Sequence, residues 1–472
     1  MTEILTLSAR EQARLVRERR ISSRELIGAH LERIAAVNPS LNAVVEVLAE
    51  SALKDAAAAD RELAAGELRG PLHGVPFSIK DSIELAGTRC TAGTLGRRDA
   101  ALSTTDATLV ARLRRAGAIP IARTNLPDLL FAFESANLIY GQTNNPYDVS
   151  RTCGGSSGGE AGLIAACGSP LGLGSDAAGS VRLPAAFSGI AAIKPTSGRL
   201  PRTGHFPPAG GWLEIVWQIG PMARSVEDLI DAMRLLTGPD GIDFTVPDVP
   251  FREPDGVDLA SLRVAYYTDN GFAPADREVS AVVRAAAAAL APAVRSVTEA
   301  RPACLPAAYD LEMKLIGPDG GDGMRAYLRD LGSTAIHPLL EGWLDKLEPY
   351  RTDVAGLANY WAELDAYRAE MMRFLRDYDV ILCPAYIHAA LPHGESIRGE
   401  NFRGFSHTMA FNVAGWPGVV VRCGESRDGL PIAVQVAAGP WREDIALRVA
   451  LQLEEARGGW KAPRVGEAHA AK

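Results

Sequence analysis

One stretch of sequence, Thr152–Thr196, constrains the fold and the chemistry of this 472-residue chain more than any other. It contains two serines, Ser156 and Ser180, and glycines lie close to each of them. Glycine is used where the backbone must adopt a positive φ or approach a reacting group closely. The stretch therefore predicts two serine hydroxyls that are held on tightly turned backbone.

The residues between the two serines predict a buried helix followed by a short strand. Residues 161–166 are apolar on every side, which is typical of a helix that is buried all round. Residues 171–174 predict a core strand, with Asp176 and Ser180 at its end. A serine presented among backbone amides in this way suits acyl transfer, because the amides can stabilise a developing oxyanion.

An ordered set of motifs extends this pattern along the chain. In order, they are GVPFSIKD (74–81), TNLPDLLFAFESAN (124–137), GQTNNPYD (141–148), GGSSGG (154–159), GSDAAGSVRLPA (174–185), IKPTSGRLP (193–201), GPMARSVEDL (220–229), FNVAGWPG (411–418) and GLPIAVQV (429–436). With these motifs the chain resembles the amidase signature hydrolases, and the resemblance spans nearly the whole sequence.

The resemblance implies an α/β fold with a mixed central β-sheet covered by helices on both faces. It further implies one large domain over residues 1–472. Within that domain we expect N-terminal wrapping helices over 1–70 and a catalytic core over 71–245. A variable helical cap over the pocket is expected at about 250–375, and a C-terminal return to the core over 376–465.

The resemblance also implies a catalytic triad of Lys80, Ser156 and Ser180. Ser180 would be the nucleophile and Lys80 the base, and Ser156 would pass protons between them. The peptide bond between Gly155 and Ser156 is expected to be cis. This arrangement follows the logic of a serine activated by an adjacent base.

The residues around Lys80 agree with this role. Its neighbours Val75, Phe77 and Ile79 are apolar and predict a buried strand. Burial disfavours the charged form of an amine and so lowers its pKa. We therefore expect a neutral lysine that can act as a base, rather than a solvated surface lysine.

The loop that precedes and includes Ser180 is the expected oxyanion hole. By resemblance, the backbone N–H groups of Ala177, Ala178, Gly179 and Ser180 stabilise the tetrahedral oxyanion. Relatives commonly have glycine where this chain has Ala178, and alanine tolerates fewer backbone conformations. The detailed shape of the loop should therefore depend on how Ala178 is accommodated.

Three polar side chains are expected to support the triad. Ser157 follows the bridging serine, and Asp176 and Arg182 flank the nucleophile loop. Hydrogen bonds between a carboxylate and a guanidinium are among the stronger ones in proteins. We therefore expect Asp176 and Arg182 to brace the loop rather than to take part in the chemistry.

The substrate pocket is expected to be apolar. Bulky residues occupy the positions where relatives line the acyl site, and further aromatic residues follow in a variable loop. The candidate lining residues are Leu129, Leu130, Phe131, Phe133, Phe206 and Trp212. Such side chains serve core packing as readily as ligand binding, so both interpretations stay open. A lining role implies bulky aryl or alkyl substrates.

Together these features predict a serine amidohydrolase that cleaves the C–N amide bond of small apolar or aryl substrates through an acyl-enzyme on Ser180. Carbamates, including urethanes, and esters share the attacked carbonyl and are further candidates. An alternative is the catalytic subunit of a glutamine-dependent tRNA amidotransferase, which belongs to the same family. A binding protein without activity is disfavoured, because Lys80, Ser156 and Ser180 are all present.

Two other catalytic motifs are interpreted as coincidental. Residues 154–158 match the G-x-S-x-G elbow of α/β-hydrolases, but that elbow must follow a strand and residues 149–153 predict none. Residues 51–54 match S-x-x-K, but they lie in a charged, Ala-rich helix without a K-T-G partner.

Charge and composition argue against other classes of protein. The formal net charge is −8 without the basic blocks of nucleic-acid-binding proteins, and the six cysteines show no metal or disulfide spacing. The N-terminus is charged where a signal peptide is apolar, and no apolar run is long enough to span a membrane. We expect a cytoplasmic enzyme for small molecules, without metal or cofactor, that is a monomer or, as is common among relatives, a homodimer.

Overall fold

The core of the protein is a mixed β-sheet, seen in a computed structural model that describes residues 2–208 and 212–465. Eleven strands of the described residues form this sheet. From one edge to the other they are Val44–Val47 (β1), Ile119–Thr124 (β3), Pro76–Lys80 (β2), Leu171–Asp176 (β6), Gln218–Ala223 (β8), Ala191–Lys194 (β7), Gly418–Glu425 (β12), Pro431–Ala438 (β13), Val380–Pro384 (β11), Arg263–Tyr266 (β9) and Ser296–Glu299 (β10). The two remaining strands, Ala136–Asn137 (β4) and Gly141–Gln142 (β5), pair with each other.

Parallel pairing occurs in two parts of the sheet. β2 runs parallel to β3 and β6, and β9 runs parallel to β10 and β11. The other neighbours in the sheet pair antiparallel. Parallel neighbours need long crossover connections, which brings helices onto the faces of the sheet.

The helices of the described residues are spread along the chain. They are Thr2–Thr6 (α1), Ala9–Arg17 (α2), Ser23–Leu41 (α3), Ala49–Ala64 (α4), Thr108–Arg115 (α5), Gly158–Ala165 (α6), Arg182–Ser188 (α7), Val226–Leu236 (α8), Arg277–Leu290 (α9), Ala308–Ile316 (α10), Asp322–Asp330 (α11), Pro338–Asp345 (α12), Val354–Phe374 (α13), Gly399–Arg403 (α14), Ser406–Val413 (α15) and Glu443–Arg457 (α16). In this part of the chain, no helix combines the length and the apolar composition that a transmembrane span requires.

Helices cover both faces of the sheet, as the alternation of side chains along its strands shows. Ile193 of β7 and Val419 of β12 lie in an apolar core that includes residues of α5, α8, α9 and α16. Their neighbours Ala192 and Val420 lie in a second cluster with residues of α6 and α7. Successive strand residues point to opposite faces, so these central strands are buried on both sides.

The same alternation decides where Lys80 points. Phe77 and Ile79 of β2 belong to the first core, so Ser78 and Lys80 face the opposite side of the sheet. There the Ser78 hydroxyl donates to the carboxylate of Glu160 in α6. Lys80 is therefore directed toward the face that α6 covers, and the loop leading into α6 contains the two adjacent serines.

The elements predicted around the two serines are confirmed. The apolar run after the glycines forms α6, in which every residue is buried. The predicted core strand is β6, a buried strand that ends at Asp176. The expected fold class, a mixed sheet with helices on both faces in one domain, is also confirmed.

The segment expected to be a helical cap at about 250–375 is only partly helical, which corrects that expectation. β9 and β10 lie within it and extend the central sheet beyond β11. Each has four residues, which is too short for apolar alternation to identify a strand by pattern alone. The expected wrapping helices over 1–70 likewise include one strand, β1, at the opposite edge.

Two glycines offer a matched test of this packing. Ala at Gly159 in α6 would place its Cβ 2.4 Å from the backbone nitrogen of Asn125, whereas Ala at Gly28 in α3 meets no atom within 4 Å. We expect Gly159→Ala to lower the free energy of unfolding by about 1–3 kcal/mol through overpacking. Gly28→Ala should raise it by about 0.5–1 kcal/mol, because alanine loses less conformational entropy in a helix. Urea unfolding followed by circular dichroism would measure both, and equal effects would contradict the close contact of α6.

Candidate active site

Three separate elements bring the predicted catalytic side chains to one place. Lys80 is the last residue of β2, Ser156 lies in the loop before α6, and Ser180 lies in the loop between β6 and α7. β2 and β6 are parallel neighbours in the sheet, so their carboxyl ends meet at the same edge. The two loops and the lysine therefore converge there.

The Lys80 amine is buried and lies within hydrogen-bonding distance of three oxygen atoms. Its Nζ lies 2.6 Å from Ser156 Oγ, 3.1 Å from Ser175 Oγ and 3.4 Å from the Ser175 carbonyl oxygen. Burial lowers the pKa of Lys80 to about 7, although the carboxylates of Asp176 and Glu160 act in the opposite direction. A large fraction of this amine is therefore unprotonated near neutral pH and can accept a proton.

Ser156 is held by the backbone of the glycine loop. The peptide bond between Gly155 and Ser156 is cis, as the resemblance implied. At Gly155 a Cβ would lie 2.7 Å from the carbonyl oxygen of Ala132, so this position has no room for a side chain. The glycine loop therefore packs directly against the backbone of residues 132–134, which include the predicted pocket residue Phe133.

Ser157 ties the two serine loops together. Its backbone N–H donates to the carbonyl of Ser180 at 3.0 Å. Its hydroxyl lies 3.3 Å from both the N–H and the carbonyl oxygen of Ser175. Ser157 thus supports the site through hydrogen bonds to backbone, which fits a supporting position.

Asp176 and Arg182 form a buried ion pair beneath the nucleophile loop. Arg182 contacts both carboxylate oxygens of Asp176 at 2.9 Å, and neither side chain is exposed. Arg182 also donates to the side chain of Gln435 and to the carbonyl of Thr408. Burial alone would raise the pKa of Asp176, but the charge of Arg182 outweighs it and holds that pKa well below its usual range.

The geometry of the nucleophile loop distinguishes the four amides that are predicted to form the oxyanion hole. The N–H of Gly179 donates to Asp176 Oδ1 at 2.8 Å, so it is occupied in bracing the loop. The N–H groups of Ala177, Ala178 and Ser180 make no hydrogen bond within the described part of the chain. These three amides remain available to an oxyanion. At Gly179 an oxyanion would compete with the carboxylate of Asp176 for the same N–H group.

Ala178 fits this loop without a special backbone conformation. Its φ is not positive, whereas Gly179 has a φ of +125° and would bring a Cβ to 2.3 Å from Thr408 Oγ1. The methyl group of Ala178 is buried in an apolar cluster with Leu129 and Phe133. The loop therefore needs glycine at 179 and accepts alanine at 178.

A cavity of about 120 Å³ opens beside both serines. Ser156 and Ser180 line it, together with Asp176, Ala177 and Ala178. The rest of its wall is mainly apolar: Leu129, Leu130, Phe131, Ala132, Phe133, Pro207, Pro208, Trp217, Ile316 and Trp343, with Ser175 and His205. Apolar walls around a few polar groups are typical of small-molecule sites.

The predicted pocket residues divide into three groups. Leu129, Leu130, Phe131 and Phe133 line the cavity. Phe206 does not; it stacks on Tyr327 and lies beneath the guanidinium of Arg97, 3.8 Å from its ring centroid. The remaining prediction is Trp212, and the structure describes its backbone but not its side chain.

Several residues of the site were not predicted from the sequence. Ser175, His205, Ile316 and Trp343 all line the cavity. Ser175 directly precedes Asp176 at the end of β6, so its position in the motif was a usable signal. The other three come from a loop and from the segment after residue 250, in which the first quoted motif begins only at residue 411, and no spacing in the sequence marks them.

The arrangement suits acyl transfer by a serine. A buried amine of lowered pKa is bonded to one hydroxyl, and a second hydroxyl lines the same cavity. Beside it lie backbone amides that have no partner among the residues described. Acyl transfer by a serine needs a base, a nucleophile and oxyanion donors, and groups of these three kinds are present here. Within the described residues, no group of three or more His, Cys, Asp or Glu side chains could hold a metal ion.

Comparison with known proteins agrees with this chemistry. A family model described as Amidase matches residues 25–447. Fatty-acid amide hydrolase 2 of Homo sapiens is 34% identical over 98% of this chain and 91% of that protein. One chain of the glutamyl-tRNA(Gln) amidotransferase of Roseiflexus sp. (strain RS-1) is 35% identical over 94% of this chain and 95% of its own length.

Solved structures show the same fold. The structure of 6-aminohexanoate cyclic dimer hydrolase complexed with substrate superposes with a TM-score of 0.87 at 29% identity. The match covers 98% of this chain and 100% of that chain. The arrangement of sheet and helices described above is therefore shared over essentially the whole length of both proteins.

The requirement for glycine at 179 can be tested through the reactivity of the site. We expect Gly179→Ala to slow the labelling of Ser180 by a fluorophosphonate on the order of 100-fold, because the displaced loop misplaces the oxyanion donors. Ala178→Gly should have a much smaller effect, since φ at 178 suits any residue. Labelling rates measured by intact-protein mass spectrometry would check this, and equal effects of the two substitutions would contradict the loop geometry.

Proposed function

The chain belongs to the amidase signature family, and we propose that it hydrolyses amides, carbamates and esters of small apolar or aryl compounds through an acyl-enzyme on Ser180. Hydrolysis of amides goes with membership of this family. The extension to carbamates and esters, and the preference for small apolar or aryl compounds, are the proposal. The observation that carries it is the 2.6 Å contact between the buried amine of Lys80 and the hydroxyl of Ser156, beside an apolar cavity.

In the proposed mechanism, neutral Lys80 is the base. It takes a proton from Ser156 Oγ, and Ser156 takes one from Ser180 Oγ. The Ser180 oxygen then forms a bond to the substrate carbonyl carbon, and the carbonyl π electrons move to the oxygen. The relay leaves a protonated Lys80, which the carboxylates of Asp176 and Glu160 stabilise through their charge.

The tetrahedral intermediate collapses when the proton returns. Lys80 gives its proton to Ser156, and Ser156 passes one to the leaving nitrogen as the C–N bond breaks. The amides of Ala177, Ala178 and Ser180 support the oxyanion, and losing one such donor typically costs on the order of 3 kcal/mol. Water then attacks the acyl-enzyme by the same relay and releases the acid.

The walls of the cavity support an apolar substrate. Leucine and phenylalanine residues of 129–133 lie on it together with Trp217 and Trp343. Burial of apolar surface contributes roughly 25 cal/mol per Å², so an aryl or alkyl group gains affinity there. Carbamates and esters present the same carbonyl carbon to Ser180, and this is the reason for including them.

A role within a glutamine-dependent amidotransferase is the alternative, and the relative from Roseiflexus supports considering it. Free glutamine carries an α-carboxylate, which in a binding site needs a cationic or strongly donating partner. No lysine or arginine is among the described residues that line the cavity. We therefore favour the stand-alone hydrolase over the amidotransferase.

The proposed reaction needs only the substrate, water and the side chains and backbone amides of this chain. The proposal therefore includes no metal, cofactor, nucleic acid or membrane partner. It also includes a cytoplasmic location and a monomeric or homodimeric state, as the sequence predicts.

The nucleophile can be tested with matched chromogenic substrates. We expect wild-type enzyme to release 4-nitroaniline from a small anilide and from the corresponding aryl carbamate, and Ser180→Ala to abolish release from both. Ser157→Ala should retain more activity, because among the described residues its hydroxyl bonds to the backbone of Ser175 and to neither catalytic hydroxyl. Release that survives Ser180→Ala would contradict the assignment. Release of ammonia from glutamine by wild type, with no release from either chromogenic substrate, would favour the amidotransferase.

The pH dependence of hydrolysis tests the base. Because Lys80 must be neutral and its pKa is lowered to about 7, we expect kcat/KM to rise with pH through about 7 and then level off. Two pH units below that value only about 1% of the amine is neutral. Glu160→Gln removes a nearby negative charge that favours the ammonium, so it should move the rise to lower pH. A flat profile from pH 5 to pH 8 would rule out a lysine base.

A further inference from the structure

The Lys80 amine has a hydrogen-bonded partner that the triad does not use. Besides Ser156, it contacts the hydroxyl of Ser175 at 3.1 Å and the carbonyl oxygen of Ser175 at 3.4 Å. All three residues are buried. The direction of each of these hydrogen bonds decides whether the amine presents a lone pair or a proton to Ser156.

Ser175 leads from the lysine to a histidine. Its hydroxyl lies 3.0 Å from His205 Nε2, and the hydroxyl of Ser82 lies 3.1 Å from the same nitrogen. The other ring nitrogen, Nδ1, lies 3.1 Å from the carbonyl oxygen of Pro207. A carbonyl oxygen only accepts, so the network assigns the proton to Nδ1 and makes Nε2 an acceptor.

The ring stays neutral and is held in place by its surroundings. Burial lowers the pKa of His205 to about 3, and the positive charges of Lys80 and Arg202 act in the same direction. The backbone N–H of the next residue, Phe206, donates to the carbonyl of Ser82 at 2.7 Å. Ser82, two residues after Lys80, therefore anchors the backbone next to His205.

Nε2 of His205 has one lone pair, and the hydroxyls of Ser175 and Ser82 both lie within reach of it. When Ser175 donates to that lone pair, counting donors and acceptors gives the following direction for the rest of the chain of hydrogen bonds. An unprotonated amine has two N–H groups and one lone pair. The Ser175 carbonyl can only accept, and the Ser175 hydroxyl also accepts from Lys80 once its own proton is given to His205. Both N–H groups of Lys80 are then used. The lone pair is left for the hydroxyl of Ser156, as a base requires.

We propose that His205 is a positioning residue for the catalytic lysine: by accepting the hydroxyl proton of Ser175, it makes Ser175 an acceptor and directs the lone pair of Lys80 at Ser156. Without this acceptor, the Ser175 hydroxyl is free to donate to Lys80 and competes with Ser156 for the lone pair. The proposal rests on the proposed function, since it takes Lys80 as the base for Ser180.

A fluorophosphonate that labels Ser180 tests the proposal without reliance on any particular substrate. Its phosphorus is attacked by the activated serine oxygen and fluoride leaves, so the labelling rate reports activation of Ser180. The rate would be measured from pH 5 to pH 9 for full-length wild type, His205→Phe, Ser175→Ala and the double variant. Phenylalanine preserves the ring that packs 4.6 Å from Trp217, measured between centroids, but offers no acceptor.

We expect His205→Phe and Ser175→Ala each to lower the plateau of the labelling rate by about tenfold or more. A misdirected lone pair loses part, but not all, of the rate that a general base contributes. The double variant should be no slower than the slower single variant, because both changes break the same chain. In His205→Phe the midpoint should also shift to lower pH, since a hydroxyl that donates to the neutral amine lowers the pKa of Lys80.

Two further variants separate positioning from structural damage. His205→Gln supplies a side-chain oxygen that can accept from Ser175, so it should recover part of the lost rate. Ser82→Ala should have a smaller effect than Ser175→Ala, since Lys80 donates to Ser175 rather than to Ser82. Thermal unfolding midpoints of all variants would identify any that fail to fold.

The possible outcomes distinguish the two proposals. A labelling rate and pH midpoint of His205→Phe equal to wild type would overturn the positioning role, as would independent effects that add in the double variant. Wild type that is not labelled at Ser180 would instead overturn the proposed function, and the positioning role with it. Coupled losses, the midpoint shift and rescue by His205→Gln would establish the role of His205.

Discussion

Burial of the Lys80 amine is the constraint on which the rest of the site depends. An ammonium in this position would lose its hydration, and that loss moves its pKa to about 7. The nearby carboxyl of Glu160 shows the opposite effect of the same burial, because its pKa is raised to about 7. The two groups limit each other's shift through their charges. Each also needs hydrogen bonds: the lysine makes them with Ser156 and Ser175, and the hydroxyl of Thr124 donates to Glu160 at 2.6 Å.

A second buried charge pair gives the nucleophile loop its shape. Asp176 accepts from the side chain of Arg182 and from the backbone N–H of Gly179, so one carboxylate organises the turn on which Ser180 lies. A buried ion pair contributes little net stability, because desolvation offsets most of the attraction. Its effect here is to orient the backbone. Amides that are held beside the cavity in this way need little reorganisation when charge develops on the substrate.

Much of the fold and part of the site could be predicted from the sequence. The buried helix α6 and the strand β6 were predicted from continuous apolar runs bounded by glycine, and the structure contains both. The short strands β9 and β10 were not, because four residues give too little alternation to identify a strand. Within the site, Ser175 could have been found from its place beside Asp176. His205 could not, since its contact with Ser175 joins residues 30 apart in sequence, with α7 and β7 between them.

The sequence by itself determined the local chemistry: two serines on glycine-rich backbone, a lysine at the end of an apolar strand, and the family to which these belong. Local pattern suffices there, because glycine and apolar alternation act on backbone within a few residues. Only the tertiary structure decided that the N–H of Gly179 bonds to Asp176, that Phe206 stacks on Tyr327 rather than lining the cavity, and that His205 reaches Ser175. These depend on distances between elements that are far apart in the chain. Packing of the whole sheet and its helices sets those distances, and no local pattern encodes them.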